Sequence, residues 1–465
     1  MNGLVAAFLA VSGTLLLVLP RRWAALPLLL ATCYIPFGPE ISVGPFHFKA
    51  IRILIAIGML RASVRGEGVL GSANRLDIAM FAWSAWLVIS ALFHEEPAAA
   101  VIFRLGLVYD ACGIYLLIRS FCRTVDDVVN VAFVTSILLV PLALEMAYET
   151  ATGSNIFSAF GGVGEVSMVR NGRVRANGPF GHPILTGTIG AVCVPLMIGL
   201  RGFHSRAAGV GLGACVAIVL FSASSGPILS GMAGLVAVYF WRYRYQMRAL
   251  RWAAVLGYVA LDVVMKDPAY FLVARLDLAG GSTSWYRARL IQSAFEHLSE
   301  WWLFGTDRTN HWMWVVVQWS PNHTDITSHY IQLGVHGGLP LIGLFAWVLT
   351  RGFGGIGQAV TTPGPLTEPQ RYMLWAVGAS LFAHFATMFS VSYFDQSFVF
   401  LYLPLAMASA VAGESHVKER LARLKSTFSR RTPTAGEPAF GQQTIRPPAR
   451  PRFSSAPGRN ARGIR

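Results

Sequence analysis

The chain contains few charged residues for its length. Of its 465 residues, 13% are Asp, Glu, Lys or Arg and 54% are hydrophobic, and the mean hydropathy is +0.51. A soluble domain carries about 25% charged residues. About half that fraction, combined with long apolar runs, is typical of a protein that crosses the membrane several times. The composition therefore excludes an ordinary soluble domain.

Cysteine is scarce, and its placement excludes the usual cysteine chemistry. The five cysteines are Cys33, Cys112, Cys122, Cys193 and Cys215, and none has CxxC spacing. All lie in or beside apolar runs, which favours small hydrophobic side chains in helices over metal ligands or disulfides.

Motifs of nucleotide and hydrolase chemistry are also missing. The chain has no P-loop and no G-x-S-x-G motif. The segments predicted below to lie outside the membrane contain no D-x-D-like acidic pair that would hold a divalent cation for a nucleotide sugar. We therefore expect no cofactor, and no dedicated divalent-metal site for a nucleotide sugar.

Positive charge exceeds negative charge, mostly at the end of the chain. The formal net charge is +15, and residues 415–465 contain twelve Lys or Arg against two Glu. This segment is rich in Pro, Ser and Arg, so we predict a disordered basic tail over 414–465. Its simplest role is to anchor the chain near anionic lipid headgroups on the cytoplasmic side. We expect contact with membrane lipids and not with nucleic acid.

Apolar runs recur throughout residues 1–413, which we interpret as one all-α polytopic membrane domain with 12–14 helices. The first run lacks a basic start and a small-residue cleavage site, so we expect a retained helix and not a signal peptide. The runs cover 3–19, 23–38, 46–61, 77–93, 101–119, 128–148, 180–200, 207–224, 226–241, 252–265, 330–349, 372–391 and 397–413.

Basic residues in the short connections predict the orientation. Lys and Arg are enriched in cytoplasmic loops, and counting helices places all the basic connections on one side. We take that side, and the C-terminus with it, as cytoplasmic. Segments 149–180 and 266–329 then lie on the outer face, where their arginines run against the bias. The basic connections are 21–22, 61–75, 119–123, 201–206, 242–251 and 351–371.

The first candidate site is the stretch MVRNGRVRANGPFGHP at 168–183. Arg170, Arg173 and Arg175 precede a Gly/Pro-rich turn that opens into an apolar helix. The N-terminus of that helix faces outward and favours an anion, and guanidinium groups match phosphate oxygens. The alternatives are contact with lipid headgroups or pairing with Glu165.

The second candidate is SWYRARL at 284–290, which contains Arg287 and Arg289. Apolar residues recur at helical spacing over 290–302 and predict an amphipathic helix at the outer interface, with its tryptophans at headgroup level. One arginine would point into the protein and the other toward solvent. The alternative is a solvated start of a helix.

The third candidate is PNHTDITSHYIQLGVHGGLP at 321–340. His323, Asp325 and His329 lie within seven residues, and His336 follows at i+7 from the last. A His beside an Asp can act as a general base near neutral pH. The alternatives are a plain capping and headgroup role or a metal site, although the spacing matches no standard zinc motif.

Together, three blocks resemble the O-antigen ligase and polymerase superfamily of bacterial envelope membrane proteins. They are the R-x-x-x-x-G-P-F-x-H-P turn at 173–183, the Arg-containing helix from Arg287 to Phe304-Gly305, and the DITSHYIQLGVHGGLPLIGLF block at 325–345. The resemblance covers most of the chain and excludes the basic tail. Many members have Ser-Arg-Gly where this chain has Ser224-Ser225-Gly226.

The resemblance implies a bacterial inner-membrane glycosyltransferase of the GT-C type. It would polymerise or ligate polyprenyl-diphosphate-linked glycan onto a glycan or lipid acceptor at the outer face, alongside other polysaccharide-assembly proteins. O-antigen and exopolysaccharide biosynthesis are the processes implied, and no metal is required. Many members have His-Asn where this chain has Ser328-His329, so His323 and His329 both remain candidates for the base. The implied diphosphate-binding residues are Arg170, Arg173, Arg175, His182, Arg287 and Arg289, and the implied catalytic residues are His323, Asp325 and His329.

The main alternative is a transporter or flippase of a lipid-linked glycan, and a third is an assembly partner without catalysis. Transporters place ionisable groups near the middle of the bilayer. The acidic residues inside the predicted spans are Asp110, Glu145 and Asp262, and they show no repeat pairing. The polar residues concentrate instead at the outer ends, which favours the enzyme.

Overall fold

The computed structural model describes residues 1–68, 73–266, 268–271, 284–315, 317 and 320–410. These residues are mostly helical and include two short β-hairpins. Among them, five helices are long and apolar enough to cross a membrane: Arg75–Phe93, Pro97–Phe121, Val125–Thr152, Pro183–Leu200 and His329–Thr361. Shorter apolar helices cover Gly3–Val18, Ser205–Phe221 and Phe398–Ala410. The predicted tail at 414–465 lies outside the described residues.

Every predicted apolar run coincides with a helix for most of its length. All five cysteines are free and buried within these helices or at their ends, as predicted. The α-helices of the described residues are α1 (Gly3–Val18), α2 (Ala25–Tyr34), α3 (Ala50–Val64), α4 (Arg75–Ser90), α5 (Pro97–Phe121), α6 (Val125–Thr152), α7 (Pro183–Leu200), α8 (Ser205–Phe221), α9 (Ser225–Tyr239), α10 (Met247–Val264), α11 (Ser284–Glu296), α12 (Leu298–Trp301), α13 (His329–Thr361), α14 (Glu368–Thr387) and α15 (Phe398–Ala410).

Polar caps mark where several of these apolar helices begin. The Asn74 side chain accepts from the backbone N–H groups of Leu76 and Asp77 at the start of α4. At the start of α6, the Thr124 side chain accepts from the Asp127 amide, and the Asp127 carboxylate accepts from the Thr124 amide. Such caps satisfy backbone donors that the first helical turn leaves unpaired. They fix the helix boundaries where hydropathy alone does not.

The two hairpins correct the sequence interpretation locally. Strands β1 (Glu40–Val43) and β2 (Phe46–Lys49) pair antiparallel, so the predicted span at 46–61 begins as a strand and becomes helical only at α3. Strands β3 (Met168–Arg170) and β4 (Arg173–Arg175) pair across the turn Asn171-Gly172. Both turn residues have positive φ, 52° and 72°, which Asn-Gly accommodates in two-residue hairpins.

The predicted basic connections meet at one end of the bundle. Arg21 donates to the carbonyl of Phe121 and to the carboxylate of Asp127. Gln370, in the first turn of α14 and at the end of the predicted connection 351–371, donates to Asp126 Oδ1 at 3.2 Å, which brings that connection to the same place. Three connections that are remote in sequence therefore share one end. Helices α2 and α6 begin at that end, and the two hairpins follow the other ends of these helices.

One face of the amphipathic stretch at 290–302 packs against the rest of the protein. It forms α11 and the single turn α12, and Leu290, Ala294 and Trp301 are buried against α13 in a separate apolar cluster. Phe295 and Trp302 are exposed. The stretch is therefore amphipathic, as predicted, with its apolar side buried by α13, and its position at the outer membrane interface stays a prediction.

A break near the start of α13 receives the chain that follows α12. Gly338 has φ 71°, a left-handed conformation that glycine adopts without strain, and an added Cβ there would collide with the Leu303 carbonyl. The freed carbonyl of Gly337 accepts from Trp86 Nε1 at 2.7 Å, and the Leu339 amide donates to the Trp302 carbonyl. The break at Gly337 and Gly338 thus connects α13 to α4 and to the end of α12.

Candidate functional site

The β3–β4 hairpin carries Arg175 into the protein. Arg175 is 7% exposed, and its Nη2 atom donates to Ser224 Oγ at 2.6 Å. The neighbouring Ala176 amide donates to the Phe221 carbonyl at 3.1 Å, so the hairpin is held against the turn between α8 and α9. In that turn Ala223 has φ 44°, an unusual conformation for a residue with a Cβ. A strained turn therefore positions the partner of Arg175.

No charged group of opposite sign stabilises Arg175 in the part of the chain that the structure describes. Burial lowers the pKa of Arg175, and the charges of Arg170 and Arg287 lower that pKa further. Its Nε atom is buried without a hydrogen-bond partner among the described residues. The Arg175 guanidinium therefore retains donor capacity and excess positive charge.

Arg287 approaches the same place from α11. Burial and the charge of Arg170 lower the pKa of Arg287, while the carboxylate of Asp325 opposes that shift. Its Nε atom is buried and makes no hydrogen bond to a described residue. The arginines of the first two candidate stretches, 168–183 and 284–290, thus lie close enough to repel each other.

His182 faces the same cations. Its Nδ1 atom accepts from the Ile184 amide at 3.1 Å and caps α7. Burial, followed by the charges of Arg175, Arg170 and Arg287, lowers the pKa of His182 from 6.5 to about 4. The ring is therefore neutral at pH 7. Because Nδ1 accepts, the proton resides on Nε2, which is a hydrogen-bond donor.

The backbone donors that precede α7 are already taken by the chain's own carboxylates. Glu149 accepts from the amides of Asn177 and Gly178 at 2.8–3.1 Å. Asp395 accepts from the Gly181 amide at 2.8 Å. With His182 capping the helix itself, these backbone N–H groups are not available to an external anion, contrary to the part of the prediction that relied on them. The arginine side chains, and not the backbone, are what can bind an external anion here.

Two of the predicted arginines lie apart from this cluster. Arg173 is exposed on β4, beside the hairpin turn. Arg289 contacts Glu296 of its own helix at 3.3 Å and is about one third exposed. The cation cluster therefore consists of Arg170, Arg175 and Arg287 with His182, and we use that name for these four residues below.

His323 and Asp325 lie on two sides of one loop. The carboxyl of Asp325 reaches solvent, yet partial burial raises its pKa against the opposing charge of Arg287. His323 Nδ1 is 3.5 Å from Thr309 Oγ1. Burial lowers the pKa of His323, with Asp307 opposing that shift. A neutral, half-buried imidazole can accept a proton at neutral pH.

His329 occupies a packed position at the start of α13. Its amide donates to the Met388 carbonyl at 2.9 Å, and its Nδ1 atom lies 3.1 Å from Gln332 Oε1. The ring packs against Phe345 and Tyr393 and is 9% exposed. These contacts hold His329 within the bundle, whereas His323 remains half-exposed on the loop.

The sequence interpretation missed a second polar group, which borders His323. Arg104 of α5 is 5% exposed, and its Nε atom has no hydrogen-bond partner among the described residues. Nearby, His94 Nδ1 lies 2.6 Å from an oxygen of Asp307. An arginine inside an apolar run is a signal of function by default, so Arg104 could have been identified from the sequence.

An apolar cleft of about 710 Å³ opens between the β1–β2 hairpin and α5. Phe46, Ile102 and Leu105 are among its lining residues, with Lys49 at one edge. Burial is the main cause that lowers the pKa of Lys49, and Asp395 acts on Lys49 in the opposite direction. Asp395 also accepts from the amide of Gly181, the residue before His182.

The predicted alternative of a metal site at His323, Asp325 and His329 is not what the geometry offers. In the described ranges, the side chains whose ligand atoms gather closely enough for a metal ion are His297, Glu300 and His311.

Comparison with known proteins adds no assignment. No family model matches the chain, and no curated protein matches it. The functional interpretation therefore depends on the residues and their geometry.

Proposed function

We propose that the protein is a membrane glycosyltransferase of the O-antigen ligase and polymerase superfamily, acting on polyprenyl-diphosphate-linked glycan. One observation carries the proposal: Arg175 and Arg287, from segments 112 residues apart, converge with unpaired buried Nε atoms. No described carboxylate acts on Arg175, and Asp325 is the described carboxylate that acts on Arg287, so a bound anion would relieve the repulsion between the two guanidinium groups. Guanidinium forks match a diphosphate in charge and geometry.

The transfer itself follows from that binding. The acceptor hydroxyl oxygen attacks the anomeric carbon of the donor glycan, and the bond from that carbon to the diphosphate oxygen breaks. The polyprenyl diphosphate leaves with the bonding electrons, and Arg175 and Arg287 stabilise the negative charge that grows on it. His323 takes the proton of the attacking hydroxyl. Two arginines supply the charge that a divalent cation supplies elsewhere, so the step needs no metal.

Two further features support a lipid-linked donor. The basic connections meet at the end of the bundle opposite the cation cluster. By the positive-inside rule, this arrangement supports a location of the cluster at the outer face of the inner membrane. The cleft beside α5 offers apolar side chains such as Ile102 and Leu105 to an isoprenoid chain, and its lining also includes the cations Lys49 and Arg52.

The flippase remains the competing proposal, and one observation favours it. Both carboxylate oxygens of Glu145 in α6 are buried without a hydrogen-bond partner among the described residues, as in a transport pathway. Purified protein in detergent separates the two. An enzyme joins donor glycan to acceptor without any membrane to cross, and a flippase yields no new glycosidic bond.

The experiment that tests the proposal incubates the purified full-length chain in detergent with polyprenyl-diphosphate-linked glycan and an acceptor. New glycan product on a gel supports the proposal, and no product with intact donor binding contradicts it. In a deletion strain, loss of long chains with single repeats retained would identify a polymerase. Polymer that stays on the lipid carrier would identify a ligase.

A further inference from the structure

A group of nitrogen and oxygen ligands lies outside the cation cluster. His297, Glu300 and His311 each present one ligand atom, and these atoms lie within 4.8 Å of one another. His297 separates α11 from α12, Glu300 lies in α12, and His311 follows in the loop. All three are outside the candidate membrane spans. The group is therefore open to ions from solution.

One hydrogen bond of His297 determines which of its ring nitrogens can bind a metal. His297 Nδ1 lies 2.9 Å from the Ser293 carbonyl. A carbonyl only accepts, so Nδ1 carries the proton and the lone pair of Nε2 is available to a metal. This backbone bond is the usual orienting partner of a histidine that ligates a metal. In this tautomer, His297 can bind a metal ion through Nε2.

Glu300 is oriented in the same manner. Trp312 Nε1 donates to Glu300 Oε2 at 3.2 Å, and the Trp312 indole stacks on the His297 ring at a centroid distance of 5.8 Å. The Trp312 side chain therefore fixes both the carboxylate and the imidazole. Outer partners of this kind raise metal affinity about 10- to 100-fold.

His311 completes the group. Its Nε2 atom lies 2.9 Å from Glu300 Oε2, and both side chains are more than one third exposed. Zinc binds imidazole nitrogen at about 2.0–2.1 Å, so its ligand atoms lie roughly 3.3 Å apart. The three ligand atoms already lie within 4.8 Å of one another, and rotation of the exposed Glu300 and His311 side chains is enough to bring them to this spacing.

We propose that His297, Glu300 and His311 bind one Zn²⁺ ion, with water as the fourth ligand. Two imidazoles and one carboxylate favour zinc over Mg²⁺ or Ca²⁺, which prefer oxygen ligands. The ion joins the loop after α12 to the end of α11, the helix that carries Arg287. It is a structural site, and it neither depends on nor takes part in glycan transfer.

The test measures zinc binding to the full-length protein, purified with a tag that contains no histidine. Competition with a chromophoric chelator gives stoichiometry and affinity for the parent, H297A, H311A and E300Q. His47 supplies the matched control, because it forms a second exposed His–Glu pair, with Glu40 at 2.8 Å, outside any such cluster among the described residues. We expect one Zn²⁺ per chain, at least tenfold weaker binding in H297A and H311A, and no change in H47A.

The nearly isosteric E300Q keeps the test valid if a histidine variant does not fold, and W312F tests the outer partner. We expect W312F to weaken zinc binding about tenfold while the protein stays folded. Added zinc should raise the thermal midpoint of the parent and not that of H311A. Absence of stoichiometric zinc binding in the parent would overturn the proposal. So would equal zinc affinity in the parent, H311A and E300Q.

Discussion

The Nη2 atom of Arg175 donates to Ser224 Oγ at 2.6 Å, and this bond fixes the direction of a buried guanidinium that no described carboxylate neutralises. Ser224 belongs to the turn in which Ala223 has φ 44°. Strain in such a turn persists only where the surrounding fold holds it. The turn between α8 and α9 thus acts as the support that aims Arg175.

Arg175 provides the first prediction. Replacing it with Ala should weaken binding of polyprenyl diphosphate about 10- to 100-fold, because a charge-assisted hydrogen bond contributes about 1.5–3 kcal/mol. R175K should recover only part of this affinity, since the planar fork is lost. Binding is measured directly on purified protein. Full recovery in R175K would show that only charge, and not fork geometry, is needed.

Arg287 and Arg289 provide a matched pair on α11. R287A should weaken donor binding about 10- to 100-fold by the same reasoning. R289A removes only a surface pair with Glu296, worth about 0–1 kcal/mol, and should change donor binding by less than about fivefold. Titration of the labelled donor into both variants makes the comparison. Equal losses would mean that α11 is damaged as a whole.

His182 predicts a pH dependence of stability. Its pKa in the folded protein is about 4, below the ordinary value of 6.5. Between these two pH values the His182 ring is protonated in the unfolded chain and neutral in the folded chain. Stability therefore falls as the pH drops from about 6.5 to 4. H182N keeps a side chain that caps α7 and removes the titration. The thermal midpoint of H182N should fall less over this range, and identical curves would refute the assignment.

His323 and His329 should separate into different roles. H323A should lower the transfer rate about 10²- to 10⁴-fold with donor binding retained, because it removes the general base. H329A should chiefly lower the thermal midpoint, because His329 is buried against Phe345 and Tyr393. Rates and melting curves of both variants decide between them. The reverse pattern would make His329 the base.

Local patterns predicted much of the fold. The apolar runs located the helices because a bilayer demands continuous hydrophobicity. The Asn171-Gly172 pair is a strong hairpin signal that the sequence interpretation overlooked. The strand at Phe46–Lys49 was hidden because its two phenylalanines continue the hydropathy of α3.

The parts of the site that depend on contacts between distant segments could not be predicted from the sequence. The arginines of 168–183 and 284–290 stood out because positive charge is unexpected on the outer face. Nothing local shows that Glu149 and Asp395 take the backbone donors before α7, since both approach from distant segments. His297, Glu300 and His311 have no motif spacing, because their proximity depends on the turn after α12.

Binding of polyprenyl diphosphate to the purified protein in EDTA tests the central claim most directly. The measurement compares the diphosphate with the monophosphate, at a low temperature where loss of zinc does not unfold the chain. The account predicts tighter binding of the diphosphate by the parent, and loss of that preference in R175A and R287A with melting curves unchanged. Equal binding of both lipids by the parent, or an unchanged preference in both variants, would contradict it.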